Sequence, residues 1–511
     1  MEHVVQEEAP AVAAPKKSYG QALKSSALIG ASSMIDIGFR VVRTKAIALL
    51  LGPDGVGLLG IYTNITELVR SLAGLGVNSS GVRQIAEAVG TGDAARIART
   101  VTTLRRVAFW SGAIGSLLLL VFSKWVALLT FGNDSRAGAI ALLAVAVFCA
   151  DIAAAQGALV QGMRRIADLA KINVFGAFYG TLFGIPIVYF FRERGLVPSL
   201  VCVAAMSILT SWWYARKVEV QNVRLSFREV AAESSSLLKL GLAFMSASLM
   251  GMAAVYLVRI IIARRLGVAE AGYFQSAWAL SGIYAGFILN SMVADFYPRL
   301  TAVAKDNGEV NRLVNEQAEV GLLLAGPGLF GTLVFAPLVI DIFYSARFQP
   351  AVEILRWICL GMMLRIGSWP MGIVLLAKGV GKIYFLWELA SNTAFVSLIG
   401  AGVLVFGLKG SGIGFFAMYV FYWVGIYILV RHLTGFRWSA ANGRWALIFV
   451  PLLGAVFVGQ YFLPPGIQLA FGLGILGFCS FYSVRALCTL VSPERLPPIA
   501  RKGLKLLRLM P

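Results

Sequence analysis

Apolar stretches of membrane-crossing length recur along this chain from one end to the other. Fourteen can be placed, near 20–51, 55–79, 107–131, 137–161, 169–191, 196–215, 237–263, 271–296, 319–343, 351–377, 383–407, 411–430, 443–463 and 467–490. About 20 apolar residues in helical form span the hydrocarbon core of a bilayer. No sustained alternation of period two, the mark of a transmembrane barrel, interrupts them. The residues are 58% hydrophobic and only 14% charged, where a soluble protein carries about 25% charged residues. The pattern therefore predicts an all-α polytopic membrane protein of about 14 transmembrane helices.

The formal net charge of +20 invites a nucleic-acid reading, and its placement argues against one. Sorting Lys and Arg by connection puts 29 in the two tails and the even-numbered connections, against 7 in the odd-numbered ones. Cytoplasmic flanks carry the positive excess. Both termini are therefore expected on the cytoplasmic side of the membrane, with the basic residues facing anionic lipid. The five cysteines fall inside apolar segments, and the histidines are only His3 and His432. No disulfide framework, metal site or cofactor is expected. Residues 1–19 are too polar for a signal peptide and read as an unstructured cytoplasmic tail.

The chain also echoes itself. LLLGPDGVGLLGIY places Gly52 and Gly57 where ARRLGVAEAGYFQS places Gly267 and Gly272, at an offset of 215. Phe131 and Phe343, Gly162 and Gly379, and Gly195 and Gly410 follow at offsets from 212 to 217. An offset spanning six helices keeps the orientation, so the copies are expected to be related by a pseudo-twofold axis along the membrane normal. This divides the chain into an N-lobe (20–215), a linker (216–236), a C-lobe (237–431), an appendage without counterpart (432–490) and a basic tail (491–511). Two lobes around a cleft suit alternating access.

Several spans carry charge. In the first, Ser25, Ser32, Asp36, Arg40 and Arg43 share a narrow helical arc. In the second, Thr63, Glu67 and Arg70 share a face, as do Ser248 and Arg259 in the seventh. Glu388, Ser391 and Asn392 group in the eleventh, and Asp151, Asp295 and Arg365 stand singly. An ionised group persists in a span only where it faces protein or a watery cavity. One reading is internal ion pairing of Asp36 with Arg40 and Glu67 with Arg70, as glue between helices. The other is a cavity whose cations (Arg40, Arg43, Arg70, Arg259 and Arg365) bind a phosphate or diphosphate, which guanidinium recognises in a bidentate fork. The carboxylates Asp36, Glu67, Asp151 and Glu388 are candidates for ion coupling. Lys45, Lys124, Arg356 and Arg485 read as snorkelling or packed residues.

The segments around LGPDGVGLLG and LGVAEAGYFQ, and the flanking residues 20–435, resemble the bacterial Wzx-type flippases of O-antigen and enterobacterial common antigen. Those belong to the multidrug/oligosaccharidyl-lipid/polysaccharide exporter superfamily. The resemblance implies transport of an undecaprenyl-diphosphate-linked oligosaccharide from the inner to the outer leaflet, by alternating access and driven by an ion gradient, through a cationic cavity holding Arg40 and Arg43. It implies no catalytic residues. Polysaccharide polymerase and chain-length proteins are candidate partners, and a monomer is expected. The last two spans depart from the twelve-helix form of that family and resemble the extra pair of the lipid II flippases, although the first segment does not look like theirs. The competing reading is a small-molecule exporter of the multidrug type, which calls for an acid-rich cavity. Short odd connections, with no paired-carboxylate or nucleophile motif, argue against an enzyme.

Overall fold

A computed structural model describes residues 16–74, 76–221, 223 and 225–490, and no strand occurs among them. The helices are α1 (Lys16–Gly74), α2 (Val77–Thr91), α3 (Ala94–Val121), α4 (Ser123–Phe131), α5 (Ala137–Gly162), α6 (Ile166–Phe191) and α7 (Leu196–Ala215). They continue with α8 (Phe227–Arg265), α9 (Val268–Ala302), α10 (Asn307–Val334), α11 (Ala336–Phe343), α12 (Ala351–Ala377), α13 (Gly381–Thr434), α14 (Ala440–Phe462) and α15 (Pro465–Leu490). Residues 1–15 and 491–511, which include most of the expected tails, lie outside the described residues.

Among the described residues, nine helical stretches are long and apolar enough to cross a bilayer. Three of them are double. α1 has 59 residues and α13 has 54, or about 80–90 Å at 1.5 Å per residue, far more than a core of about 30 Å. Each folds back at a glycine with positive φ, Gly52 in α1 and Gly407 in α13. The third double joins α6 to α7 through a 3-10 turn, Arg192–Gly195. α8 and α9, with 39 and 35 residues, complete fourteen passes.

The backbone sharpens the repeat. Gly52 (φ 67°) pairs with Gly267 (φ 132°), Arg164 (φ 56°) with Gly379 (φ 68°), and Arg192 (φ 53°) with Gly407 (φ 61°), each at an offset of 215. The counterpart of Gly379 is thus Arg164, not Gly162. The sequence match followed the identity of the residue, whereas the chain repeats the turn. Both lobes also break their third pass at a phenylalanine, Phe122 before α4 and Phe335 before α11.

The lobes meet through α1 and α9, with α8 beside them. At the crossing, a Cβ on Gly57 would lie 2.2 Å from the Val268 carbonyl oxygen, and one on Gly272 would lie 2.0 Å from that of Pro53. Each of these contacts is the other's copy one repeat later. Such an isologous arrangement puts the pseudo-twofold axis between the two glycines. Nearby, Thr130 and Tyr256 share a 2.6 Å hydrogen bond, and Lys45 donates to the Ile342 carbonyl. These contacts cluster at the end of the bundle that carries Gly52 and Gly267.

At the other end, α8 starts with a capping box. Glu229 N–H donates to Ser226 Oγ at 3.3 Å, and Ser226 N–H donates to Glu229 Oε2 at 2.7 Å. That backbone hydrogen bond holds the Glu229 carboxyl below its usual range. Thr103 then donates to Glu233 at 2.9 Å, and Arg106 to the Leu225 carbonyl at 2.6 Å, tying the linker to α3. α14 and α15 pack on α10 of the C-lobe, with Phe449 edge-on to Phe330 at 5.9 Å.

Candidate functional site

In the first half of α1, Asp36 and Arg40 form an i,i+4 ion pair at 2.7 Å, with the Arg40 side chain 68% exposed. A charge so exposed in mid-span must face water rather than lipid. Arg43, one turn further on, is half-buried, and its Nε has no hydrogen-bond partner. No carboxylate closes an ion pair on it among the described residues. Phe39 packs edge-on against Phe178 at 5.6 Å and its carbonyl accepts from Thr181. That fixes the rotation of α1 against α6. Ser32 is turned inward and donates to the Ile29 carbonyl, while the side chain of Ser25 lies outside the described residues.

The second half of α1 distributes its charges differently. Glu67 is exposed. Arg70 does not pair with it. Its Nε donates to Asp151 Oδ1 of α5 at 3.1 Å, and a second nitrogen donates to the Ala150 carbonyl at 3.3 Å. The Asp151 side chain is 5% exposed. A cation and a carboxylate assigned separate roles on sequence grounds are therefore bound to each other. A buried pair of this kind contributes little net stability, but breaking it costs about 3–5 kcal/mol.

In the C-lobe, Arg259 is buried and reaches across the lobe boundary. One of its terminal nitrogens donates to the Gly60 carbonyl at 2.8 Å and to Asn64 Oδ1. Gly60 leaves room for Gln275, its own repeat equivalent, on the facing helix. Arg365 of α12 is half-buried, with its guanidinium 5.9 Å from the centre of the Tyr419 ring. Glu388 of α13 is half-buried, and Asn392 donates to its backbone oxygen at 2.8 Å. Asp295 is exposed and pairs with Arg299 at 3.1 Å.

Pairing therefore sorts the stripe. Asp36–Arg40 is an ion pair within α1, Arg70–Asp151 is an ion pair between α1 and α5, and Arg259 is an inter-lobe contact. Among the described residues, Arg43 and Arg365 remain as stripe cations without a carboxylate in contact. The sequence reading overlooked Asn64 and Gln275, because a lone amide in an apolar span carries no periodic signal. It also overlooked the aromatic interior of the C-lobe, where Trp278, Phe395, Phe415 and Tyr419 contact one another with ring centres 4.9–6.4 Å apart.

Residues 46–353 match the sequence profile of the polysaccharide biosynthesis protein family. The chain belongs to that family. The matched stretch includes Glu67, Arg70, Asp151 and Arg259 and stops short of Asp36, Arg40, Arg43, Arg365 and Glu388. The chain of this polysaccharide biosynthesis protein is 21% identical over 424 residues to the lipid III flippase of Escherichia coli strain K12, covering 80% of this chain and 98% of the relative. The lipid III flippase of Shigella flexneri matches equally. Among solved structures, the lipid II flippase MurJ in an inward closed conformation superposes with a TM-score of 0.67 at 13% identity, over 91% of this chain and 99% of that one. An inward-facing MATE-family multidrug transporter of the MOP superfamily superposes with a TM-score of 0.64 at 15% identity, over 80% and 98%. These likenesses establish the fold, a multi-pass helical bundle shared with those two structures.

Proposed function

We propose that this protein is a flippase for a polyprenyl-diphosphate-linked oligosaccharide, carrying it from the cytoplasmic to the periplasmic leaflet by alternating access for surface polysaccharide synthesis. Membership of a polysaccharide biosynthesis family and similarity to lipid III flippases support the substrate class. The observation that carries the reading is Arg43, a guanidinium in mid-span with an unpartnered nitrogen, one turn from the exposed Arg40. A diphosphate offers Arg43 the oxygens it lacks and comes within reach of the exposed, Asp36-paired Arg40. The MATE-like alternative calls for cation-binding acids, and the one acid beside Arg43 on this wall, Asp36, is already paired with Arg40.

The charge sorting orients the molecule. It puts both termini, the linker and the basic connections in the cytoplasm of a bacterial inner membrane. The Gly57–Gly272 crossing then seals the periplasmic end, and the α1 stripe opens inward. The headgroup binds Arg43 and Arg40 and the sugar occupies the cleft. Exposed Glu67 and half-buried Glu388 are left to couple an ion. The protein acts as a monomer, with polymerase and chain-length proteins as downstream partners.

The test is translocation of a fluorescent polyprenyl-diphosphate oligosaccharide in liposomes, together with surface glycan display in cells. The double variant Arg40→Ala/Arg43→Ala should lose both while melting like the parent. Normal glycan export by that variant would sink the arginine assignment.

A further inference from the structure

α14 and α15 have no counterpart in the repeat, and they roof a cavity whose largely apolar lining carries three polar side chains. The cavity has a volume of about 220 Å³ and lies between α10, α12, α14 and α15. Arg356, Gln460 and Gln468 line it, with Leu333 and Leu469 among its apolar walls. Both amide atoms of Gln460 are buried and have no hydrogen-bond partner. Arg356 makes no hydrogen bond or ion pair among the described residues. Its neighbour Glu353, one turn away, already accepts from Lys409 and from Tyr461, each at 3.2 Å. Two cations therefore share one carboxylate, and a positive charge is left at the cavity. In the N-lobe, the positions 212 and 215 residues before Arg356 are Ala144 and Ala141, so the cation belongs to the half that carries the appendage.

A guanidinium and an amide left open together, at the membrane end of a helix bundle, call for an anionic oxygen ligand. Water would satisfy the amide and leave the charge unanswered. Leu469, which lines the cavity and is exposed, gives an acyl or prenyl chain an apolar path outward. We propose that this cavity is a lipid-phosphate site: the non-bridging phosphate oxygens accept from the guanidinium of Arg356 and from the amide N–H of Gln460, and the chains run down the outside of α15. The site is independent of what the α1 stripe carries. Its phosphate can come from a bilayer phospholipid or from a polyprenyl carrier.

Native mass spectrometry of the full-length protein tests it, with dioleoylphosphatidylglycerol, undecaprenyl phosphate and dioleoylglycerol as probes. The wild type and the control Lys124→Met, which removes an exposed cation of the N-lobe, should retain a phosphate-bearing lipid and release dioleoylglycerol. Arg356→Met should weaken retention about tenfold, as expected for the loss of a charge-assisted pair. Gln460→Leu should weaken it roughly threefold, the scale of one neutral hydrogen bond, and serves if Arg356→Met misfolds. Retention of phosphatidylglycerol alone assigns the site to bilayer lipid, and retention of undecaprenyl phosphate alone assigns it to the carrier. Undiminished phosphate-lipid retention by a correctly folded variant, or equal retention of dioleoylglycerol, overturns the proposal.

Discussion

In the N-lobe, Arg40 stands exposed in mid-span and Arg43 ends in an unpartnered nitrogen. In the C-lobe, Arg365 lies against the Tyr419 ring and Arg259 is pinned to Gly60 and Asn64 of the other lobe. The same turns, at the same offset of 215, frame both. The most apolar stretch of α12 is 72% buried, against 33% for that of its counterpart α5, while α13 and its counterpart α6–α7 are alike at 28%. The C-lobe has packed its α12 closely, with Trp357 and Trp369 against neighbouring rings, and the N-lobe has kept an open charged wall. Duplication supplied a scaffold with two equivalent faces, and the side chains divided the work. On the proposed reading, the C-lobe anchors and the N-lobe receives.

The comparison breaks most sharply at the crossing, where it predicts no difference between the lobes. Gly57→Leu and Gly272→Leu should be equally damaging, with export falling on the order of a hundredfold, because each side chain would drive the facing carbonyl out of contact. Cross-linking between cysteines placed on α1 and α9 would report the gap. If one substitution were harmless, the isologous reading would fail.

The Arg70–Asp151 pair is next. Arg70→Ala should cost about 3–5 kcal/mol by leaving Asp151 buried and unpaired, whereas Arg70→Leu with Asp151→Leu together should recover most of it. Thermal melts in detergent measure both. Recovery of stability without export would show that the pair also serves transport.

Smaller effects separate receiving from anchoring. Arg43→Ala should reduce liposome translocation about tenfold, the worth of one charge-assisted contact. Arg365→Ala should reduce it roughly threefold, as suits an arginine already engaged with an aromatic face. The reverse order would move the headgroup to the C-lobe. Last, Arg192→Gly should change stability by less than about 1 kcal/mol, since relief of a positive φ offsets added chain entropy. Gly407→Arg at the equivalent turn should cost about 1–2 kcal/mol.

Much of the fold was legible in the sequence because a bilayer imposes a length on every pass, and because Gly52 and Gly267 share a junction motif. The register was harder to read where the turn survived and the glycine did not, as at Arg164 and Arg192. For the site, spacing along one helix found the Asp36–Arg40 pair. It could not foresee that Arg70 turns to α5 for Asp151 and not to Glu67, because partners on different helices leave no mark in the periodicity of either. Gln460 was invisible for a similar reason. Its significance lies in having no partner, which only packing reveals.

The Gly57–Gly272 contact has a further consequence, in entropy. Two glycines meeting through backbone alone immobilise no side chain when they touch and release none when they part. Opening that end therefore neither gains nor loses rotamer freedom at the axis itself. The balance between open and closed then rests on the few side chains around it: the Arg259 clasp on Asn64, the Thr130–Tyr256 hydrogen bond and the reach of Lys45 to Ile342. A substrate needs only enough differential binding to offset those, which, on the proposed reading, lets modest affinity at the α1 wall drive a large movement.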